Sequence, residues 1–435
     1  MTRASSDETQ NTGLTTSEVR ALWQSSGFCV LPWLHIYLPS SGAASPCCTN
    51  FEYIYGHTRD HGLQDLLDTP QANALRAEMI SGNLPASCFR CKSAETQYGA
   101  ISYRIEMNRR YANQQELVVG TSRDGRRAQR KMLYLDLRFS NLCNFACVMC
   151  DEHNSSSYAQ NEARAGRWNG PILQSAIANW PQFWKFVDEQ APHLDEIYLC
   201  GGEPLLIEAQ WDLLRRLIDR GHTHIRLRYN SNLSMLTWNR TPALELWEKF
   251  RSVNLHASVD ATGERASWIR RGTKWPQVLQ NMQEAVQFAR SQPQFNFFVA
   301  PTVQILNALH LVDLHDELLE QDAAKPNHFA FNLLRTHTYF SIQNLPDEDK
   351  VRIANDWERL KSRLGDSHEA QNMRTRLDEM RAFMLQTPVY PASAERAALL
   401  ASLKRQMNFE LEDFYRVFPE ARSWGLASSP NPTLG

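Results

Sequence analysis

The chain has 435 residues, more than one ordinary core holds, so two or three folding units are expected, one of them large. A formal net charge of −2 argues against bulk binding of nucleic acid or of an anionic membrane surface. No run nears the ~18 uninterrupted apolar residues of a membrane span, and Met1-Thr2-Arg3-Ala4-Ser5-Ser6-Asp7-Glu8 lacks the apolar core of a signal peptide, so a soluble, cytoplasmic protein without nucleic-acid or membrane partners is expected.

Residues 1–20 are rich in Ser, Thr and charge and read as disordered. Nine cysteines, an odd number with no secretion signal, favour metal ligation over a disulfide framework. Five of them mark residues 21–120 as a small α+β cysteine-rich domain. Cys29 opens the apolar run Cys29-Val30-Leu31-Pro32-Trp33-Leu34-His35-Ile36-Tyr37-Leu38, Gly42 turns the chain, and Cys47-Cys48 follow, consistent with a small hairpin. A helix is expected over about 70–81, and Cys88-Phe89-Arg90-Cys91 closes the set. Cys29, Gly42, Cys47 and the Cys-x-x-Cys pair at this spacing resemble the twitch half-domain, the shortened form of the SPASM domain. The resemblance implies an auxiliary [4Fe-4S] cluster on Cys29, Cys47, Cys88 and Cys91. Cys48 is an alternative to Cys47, and a structural zinc on the same four thiolates is the alternative metal. The half-domain usually follows its barrel, whereas here it comes first.

Between 92 and 132 a helix gives way to a linker. Arg123, Arg126, Arg127, Arg130 and Lys131 against Asp124 make residues 121–132 basic, read as a solvated linker or a docking point for an acidic peptide or a cofactor phosphate.

From 133 the chain alternates strand-like and helix-like segments, the pattern of parallel βα units. Strands are expected at 133–139, 195–200, 225–230, 253–259, 297–304 and 328–334. After the first comes Cys143-Asn144-Phe145-Ala146-Cys147-Val148-Met149-Cys150, three thiols with three and then two residues between them. Zinc knuckles and redox dithiols use cysteines in pairs, usually four ligands in all, and iron–sulfur cubanes are ordinarily held by four thiolates. Three ligands leave one iron open, and an open metal position is where a substrate or cofactor binds. The second strand ends in Ile197-Tyr198-Leu199-Cys200-Gly201-Gly202-Glu203-Pro204, where two glycines let backbone approach a ligand closely and a carboxylate can accept from an ammonium group.

Both motifs, in this order, resemble the radical S-adenosylmethionine enzymes. The resemblance implies a partial (β/α)6 TIM-like barrel over residues 133–340, with the active site at the C-terminal strand ends. It implies a second [4Fe-4S] cluster on Cys143, Cys147 and Cys150, the catalytic residues, with S-adenosylmethionine on its open iron. Gly201, Gly202 and Glu203 would meet the methionine amino group. Asn230, Ser231, Asn232, Ser258 and Asp260 can hydrogen-bond a ribose diol, and similarity to the family singles out Asn232 and Ser258. In Trp268-Ile269-Arg270-Arg271-Gly272, Arg270, with Arg271 close behind, resembles the family's grip on the methionine carboxylate. Asn307 falls where the family meets adenine. Met149 stands where many relatives carry an aromatic residue, and it is apolar and polarizable enough to lie against a base.

Residues 151–193 are a long excursion whose Trp168, Trp180, Phe183, Trp184 and Phe186 read as core. Residues 341–435 form a helical C-terminal region packed on the barrel, ending in a loose tail with Pro430 and Pro432. Cys48 and Cys200 are left over, either packed thiols or hydrogen-atom donors.

The resemblance implies reductive cleavage of S-adenosylmethionine to a 5′-deoxyadenosyl radical that takes a substrate hydrogen, an oxidoreductase or maturase activity on a peptide or a small amino-acid or sugar metabolite. No separate peptide-recognition domain is evident. The electron would come from an external reductant such as flavodoxin or ferredoxin. The alternative is a non-catalytic iron–sulfur electron-transfer or sensor protein.

Overall fold

The computed structural model describes residues 13–97, 101–335 and 337–426. Most of the N-terminus expected to be disordered, residues 1–12, and the tail with Pro430 and Pro432 lie outside the described residues. Helix Thr16–Gln24 is closed by a capping box in which the Thr15 hydroxyl accepts from the Glu18 amide and the Glu18 carboxylate accepts from the Thr15 amide. Order therefore begins before the expected boundary at residue 20.

In chain order the strands are β1 (His35–Leu38), β2 (Ala43–Ala44), β3 (Gly56–His57), β4 (Tyr134–Leu137), β5 (Ala146–Cys147), β6 (Glu196–Leu199), β7 (Arg226–Ser231), β8 (Thr237–Trp238), β9 (Thr241–Pro242), β10 (Ser252–Ala257), β11 (Arg270–Arg271), β12 (Phe295–Val299), β13 (Thr302–Val303) and β14 (Asn332–Leu333). A six-stranded sheet runs in the order β1, β4, β6, β7, β10, β12, and it is parallel between β1 and β4, β7 and β10, and β10 and β12. Helices Trp180–Gln190, Glu208–Asp219 and Trp275–Ser291 lie between its strands in the chain. This is an α/β fold, as the alternation of periods requires.

The membership of the sheet differs from expectation at both ends. The cysteine-rich segment supplies β1, paired with β4 in the register Ile36 to Leu135. All four β1 residues are buried, the signature of a parallel strand covered on both faces, and the unbroken apolar run around Ile36 carried that signal. The hairpin reading also holds locally, because Tyr37 and Ser45 exchange antiparallel backbone hydrogen bonds. At the other end, the strand expected over 328–334 is broken. Its backbone follows 299–303 through bonds such as Ala330 N–H to the Val299 carbonyl and Asn332 N–H to the Pro301 carbonyl, but Pro301 has no N–H to return. Only a bridge from Val299 to Phe329 and the short β13–β14 pair remain.

The chain groups into two compact units, Met1–Phe139 with Ser175–Tyr198, and Ser140–Gln174 with Leu199–Gly435. In the first, Phe139 packs on Trp180 and Phe183, and Ala176 N–H bonds the Phe139 carbonyl. These contacts tie the second half of the excursion to this unit, where Phe183 and Phe186 are buried in the core as expected, whereas Trp180 is 37% exposed and Trp184 half-buried. The basic segment belongs here too and is not a free patch: Arg127 is buried against Asp68, Arg130 pairs with Asp65 and Asp68, and Arg123 pairs with Glu18. In the second unit the C-terminal helices Asp347–Arg363, His368–Met384, Ala392–Gln406 and Leu411–Val417 follow the strands. Among the described residues no helix is long and apolar enough to cross a membrane.

Candidate active site and auxiliary cysteine cavity

The three-cysteine loop lies in the second unit and is held from four directions. Behind it, Asn141 is fully buried; its amide donates to the Glu152 and Ile172 carbonyls and accepts from Gln174 N–H. Beside it, the serines at the start of helix Ser156–Arg164 grip the backbone: Ser157 and Ser156 donate to the Cys143 carbonyl, Ser155 donates to the Phe145 carbonyl, and Cys143 N–H donates to the Ser156 hydroxyl. On another side β5 pairs antiparallel with β11, setting Cys147 opposite Arg270. The C-terminal region closes the set, since the buried Gln406 amide donates to the Val148 carbonyl at 3.0 Å. Asn141, Ser155, Ser156, Ser157 and Gln406 escaped the sequence reading. Their signal, polar residues flanking a metal loop, is indistinguishable in sequence from turn chemistry.

Burial raises all three thiols: Cys143 is pushed up to about 12 and Cys150 is raised, each also by neighbouring cysteine charge, while Cys147 is raised against the opposing pull of the Arg270 guanidinium. Without metal they are protonated at neutral pH, so ligation must release protons.

The Gly-Gly-Glu turn seats directly on this loop. Gly202 has φ +55, and a Cβ there would collide with the Leu142 carbonyl, one residue before Cys143; Glu203 N–H then donates to that same carbonyl at 2.7 Å. Only glycine permits both the backbone turn and the approach. Glu203 is 1% exposed, and its carboxylate accepts from Leu205 N–H, the Ser231 hydroxyl and Asn232 N–H at 3.1, 2.8 and 2.6 Å. Asn232 in turn donates to the Asn144 side chain inside the cysteine loop at 2.9 Å. Glu203 thus ties the end of β7 to the turn after β6, and Asn232 ties it to the metal loop.

Burial pushes the Glu203 carboxyl up to about 7 although these three donors favour the charged form. A folded-state value above the unfolded one means that its contribution is complete below about 4.5 and is lost as pH rises through about 7. Glu203→Gln is expected to flatten the fall in urea midpoint between those values. It should also lower stability by about 1–3 kcal/mol, because a Gln amide set to accept from Ser231 turns its NH2 on the Asn232 N–H.

Arg270 and Asp260 form a buried pair. The guanidinium Nε lies 2.8 Å from Asp260 Oδ2, Nη2 donates to Asp260 Oδ1 at 3.1 Å, and Nη1 reaches Cys147 Sγ at 3.9 Å. Burial works against the charge, but the Asp260 carboxylate and the Cys147 sulfur hold it firmly protonated. Arg271, the next residue, is half-buried, and its guanidinium makes no hydrogen bond or ion pair with the described residues. Ser258 N–H donates to the Ser231 carbonyl, and its hydroxyl bonds none of the described residues.

Asn307 lies buried beyond β13. Its amide donates to the Asp260 and Thr302 carbonyls and accepts from Gln304 N–H, and the side chain is 1% exposed. These bonds hold the turn after β13.

In the first unit Cys29, Cys47, Cys88 and Cys91 line one small cavity with Leu31, Thr49, Asn50, Tyr103 and Arg104. Cys48 does not line it. Between Cys29 and Cys47, Gly42 at φ +79 turns the chain after β1, where a Cβ would strike Thr58 and His57. Burial raises Cys29 strongly and pushes Cys47 and Cys88 up to about 11 and 12. Among the described residues no three His, Cys, Asp or Glu side chains are gathered tightly enough to hold one metal ion; the four thiols surround a space.

Residues 29–92 match the SPASM family, described as an iron–sulfur cluster-binding domain. No curated protein matches the chain. Solved structures that resemble it include native anSMEcpe with bound AdoMet and the Cp18Cys peptide, at 14% identity and TM-score 0.34 over 53% of this chain and 60% of that one. Others are TYW1 with a lysine–pyruvate adduct bound, at 14% and 0.29 over 55% and 74%, and Streptococcus suis SuiB bound to precursor peptide SuiA, at 13% and 0.33 over 75% and 66%. The match to anSMEcpe spans less than two thirds of that chain, and likeness at this level assigns neither function nor substrate. The firm assignment is local: the four-cysteine cavity of the first unit lies in a segment, residues 29–92, that matches a SPASM iron–sulfur cluster-binding domain.

Proposed function

We propose that this protein is a radical S-adenosylmethionine enzyme whose catalytic [4Fe-4S] cluster is held by Cys143, Cys147 and Cys150 and whose auxiliary [4Fe-4S] cluster is held by Cys29, Cys47, Cys88 and Cys91. The observation that carries the reading is the seating of Gly202 against the Leu142 carbonyl, which brings the two motifs, far apart in sequence, onto one loop. The four thiols line one cavity in a segment that matches an iron–sulfur cluster-binding domain, which favours a cubane, with one thiolate at each of four corners, over a single zinc. Cys47 is the fourth ligand in preference to Cys48.

When bound, a reduced cubane with an open iron supplies one electron to the sulfonium of S-adenosylmethionine and yields a 5′-deoxyadenosyl radical. The chain's part is to bind and orient. Glu203 and Asn232 lock the turn and the cysteine loop together, leaving the backbone of Gly201 and Gly202 for the methionine amino group. With Arg270 engaged by Asp260, Arg271 is the guanidinium left for the carboxylate. The Ser258 hydroxyl is left for the ribose. The substrate class is a peptide or a small amino-acid or sugar metabolite.

Anaerobically reconstituted protein, given dithionite and S-adenosylmethionine, is expected to form 5′-deoxyadenosine. Absence of that product from protein shown to carry both clusters would overturn the reading in favour of an electron-transfer or sensor protein.

A further inference from the structure

The auxiliary cavity holds two polar side chains that ligation alone does not need. Thr49 Oγ1 lies 3.1 Å from Cys47 Sγ and 3.9 Å from Cys91 Sγ. Asn50 Nδ2 lies 3.5 Å from Cys88 Sγ and 3.0 Å from Ser87 Oγ, and the residue is 3% exposed. Between thiols and a hydroxyl either partner can donate, but a metal-bound thiolate has no proton, so on ligation Thr49 becomes the donor to Cys47. Two acceptors, Ser87 Oγ and the Cys88 sulfur, likewise keep the Asn50 NH2 turned to the cavity.

These donors are clamped in place. Arg90, between Cys88 and Cys91, stacks on Phe51 and Phe89 with its guanidinium carbon 4.7 and 4.6 Å from their ring centres, pairs with Glu52, and donates to the Thr49 carbonyl at 3.2 Å. The turn that carries Thr49 and Asn50 is thereby fastened to helix Phe89–Gln97, which carries Cys91.

We propose that Thr49 and Asn50 tune the auxiliary cluster, donating hydrogen bonds to the sulfurs of Cys47 and Cys88 that hold its reduction potential above that of the bare four-cysteine site. Reduction adds one electron and no proton, and the added charge is spread over iron and sulfur. A donor fixed on a ligand sulfur stabilises the reduced state more than the oxidised one, as second-shell groups do at metal sites generally. The inference rests on the reading of residues 29–92 as an iron–sulfur site.

The test uses the full chain in a Cys147→Ala background, so that only the auxiliary cluster reports. Iron is counted first, and the midpoint is then measured by potentiometric titration followed by electron paramagnetic resonance. Thr49→Val, isosteric but without a donor, is expected to lower the midpoint by about a tenfold shift in the reduction equilibrium, ~59 mV for a one-electron couple. Thr49→Ser should restore it, and Asn50→Ala should lower it as Thr49→Val does. Wild-type midpoints in fully loaded Thr49→Val and Asn50→Ala would overturn the proposal. So would an unshifted, loaded Asn50→Ala if Thr49→Val fails to hold iron. Parent protein without auxiliary iron would overturn the cluster reading itself, and the iron count shows this before any potential is measured.

Discussion

Cys147→Ala is expected to abolish 5′-deoxyadenosine formation and to lower iron from about eight to about four atoms per chain, the content of one remaining cubane. Cys147 is firmly placed by the fold: it sits in β5, paired with β11, and its sulfur meets the Arg270 guanidinium. The substitution removes a ligand while leaving the backbone pairing in place, so loss of product reflects the missing cluster and not a displaced loop. Cys29→Ala should remove the other half of the iron and leave the three-cysteine site loaded. Unchanged iron in either variant would refute that ligand set.

Arg270→Met is expected to destabilise the second unit by about 3–5 kcal/mol, measured as a lowered urea midpoint, because it leaves the Asp260 carboxylate buried without its cation. The Asp260 side chain is 0% exposed and the Arg270 side chain 14%, so water cannot replace the missing partner. Arg270→Lys should fall between, since an ammonium restores the charge but not the fork that spans both carboxylate oxygens. A double change, Arg270→Met with Asp260→Leu, should recover part of the loss, as apolar replacement of a buried pair often does. The recovery is incomplete because Asp260 Oδ1 also accepts from Thr302 N–H at 2.7 Å, and that orphaned amide costs about 1–3 kcal/mol. A single variant within 1 kcal/mol of wild type would show that the pair is not structural and would return Arg270 to the candidates for the methionine carboxylate.

Much of this protein was readable along the chain because its metal chemistry is local. Three sulfurs in eight residues, a Gly-Gly-Glu turn at a strand end and a Cys-x-x-Cys pair each need neighbouring residues, and period-2 alternation marked β7 and β10. What folding alone decided is where polar side chains find partners. Asp260, named beside Ser258 among groups able to bond a ribose, is bound to Arg270, and the Asn307 amide bonds within its own turn and to Asp260, while the Ser258 hydroxyl bonds none of the described residues. The sheet shows the same limit, for β1 joined it from a segment that looked like a separate hairpin, and Pro301 broke the strand expected beside β12. A hydrogen bond between residues a hundred positions apart leaves no periodic trace in either, so the partner of a buried donor or acceptor is a property of the packed molecule.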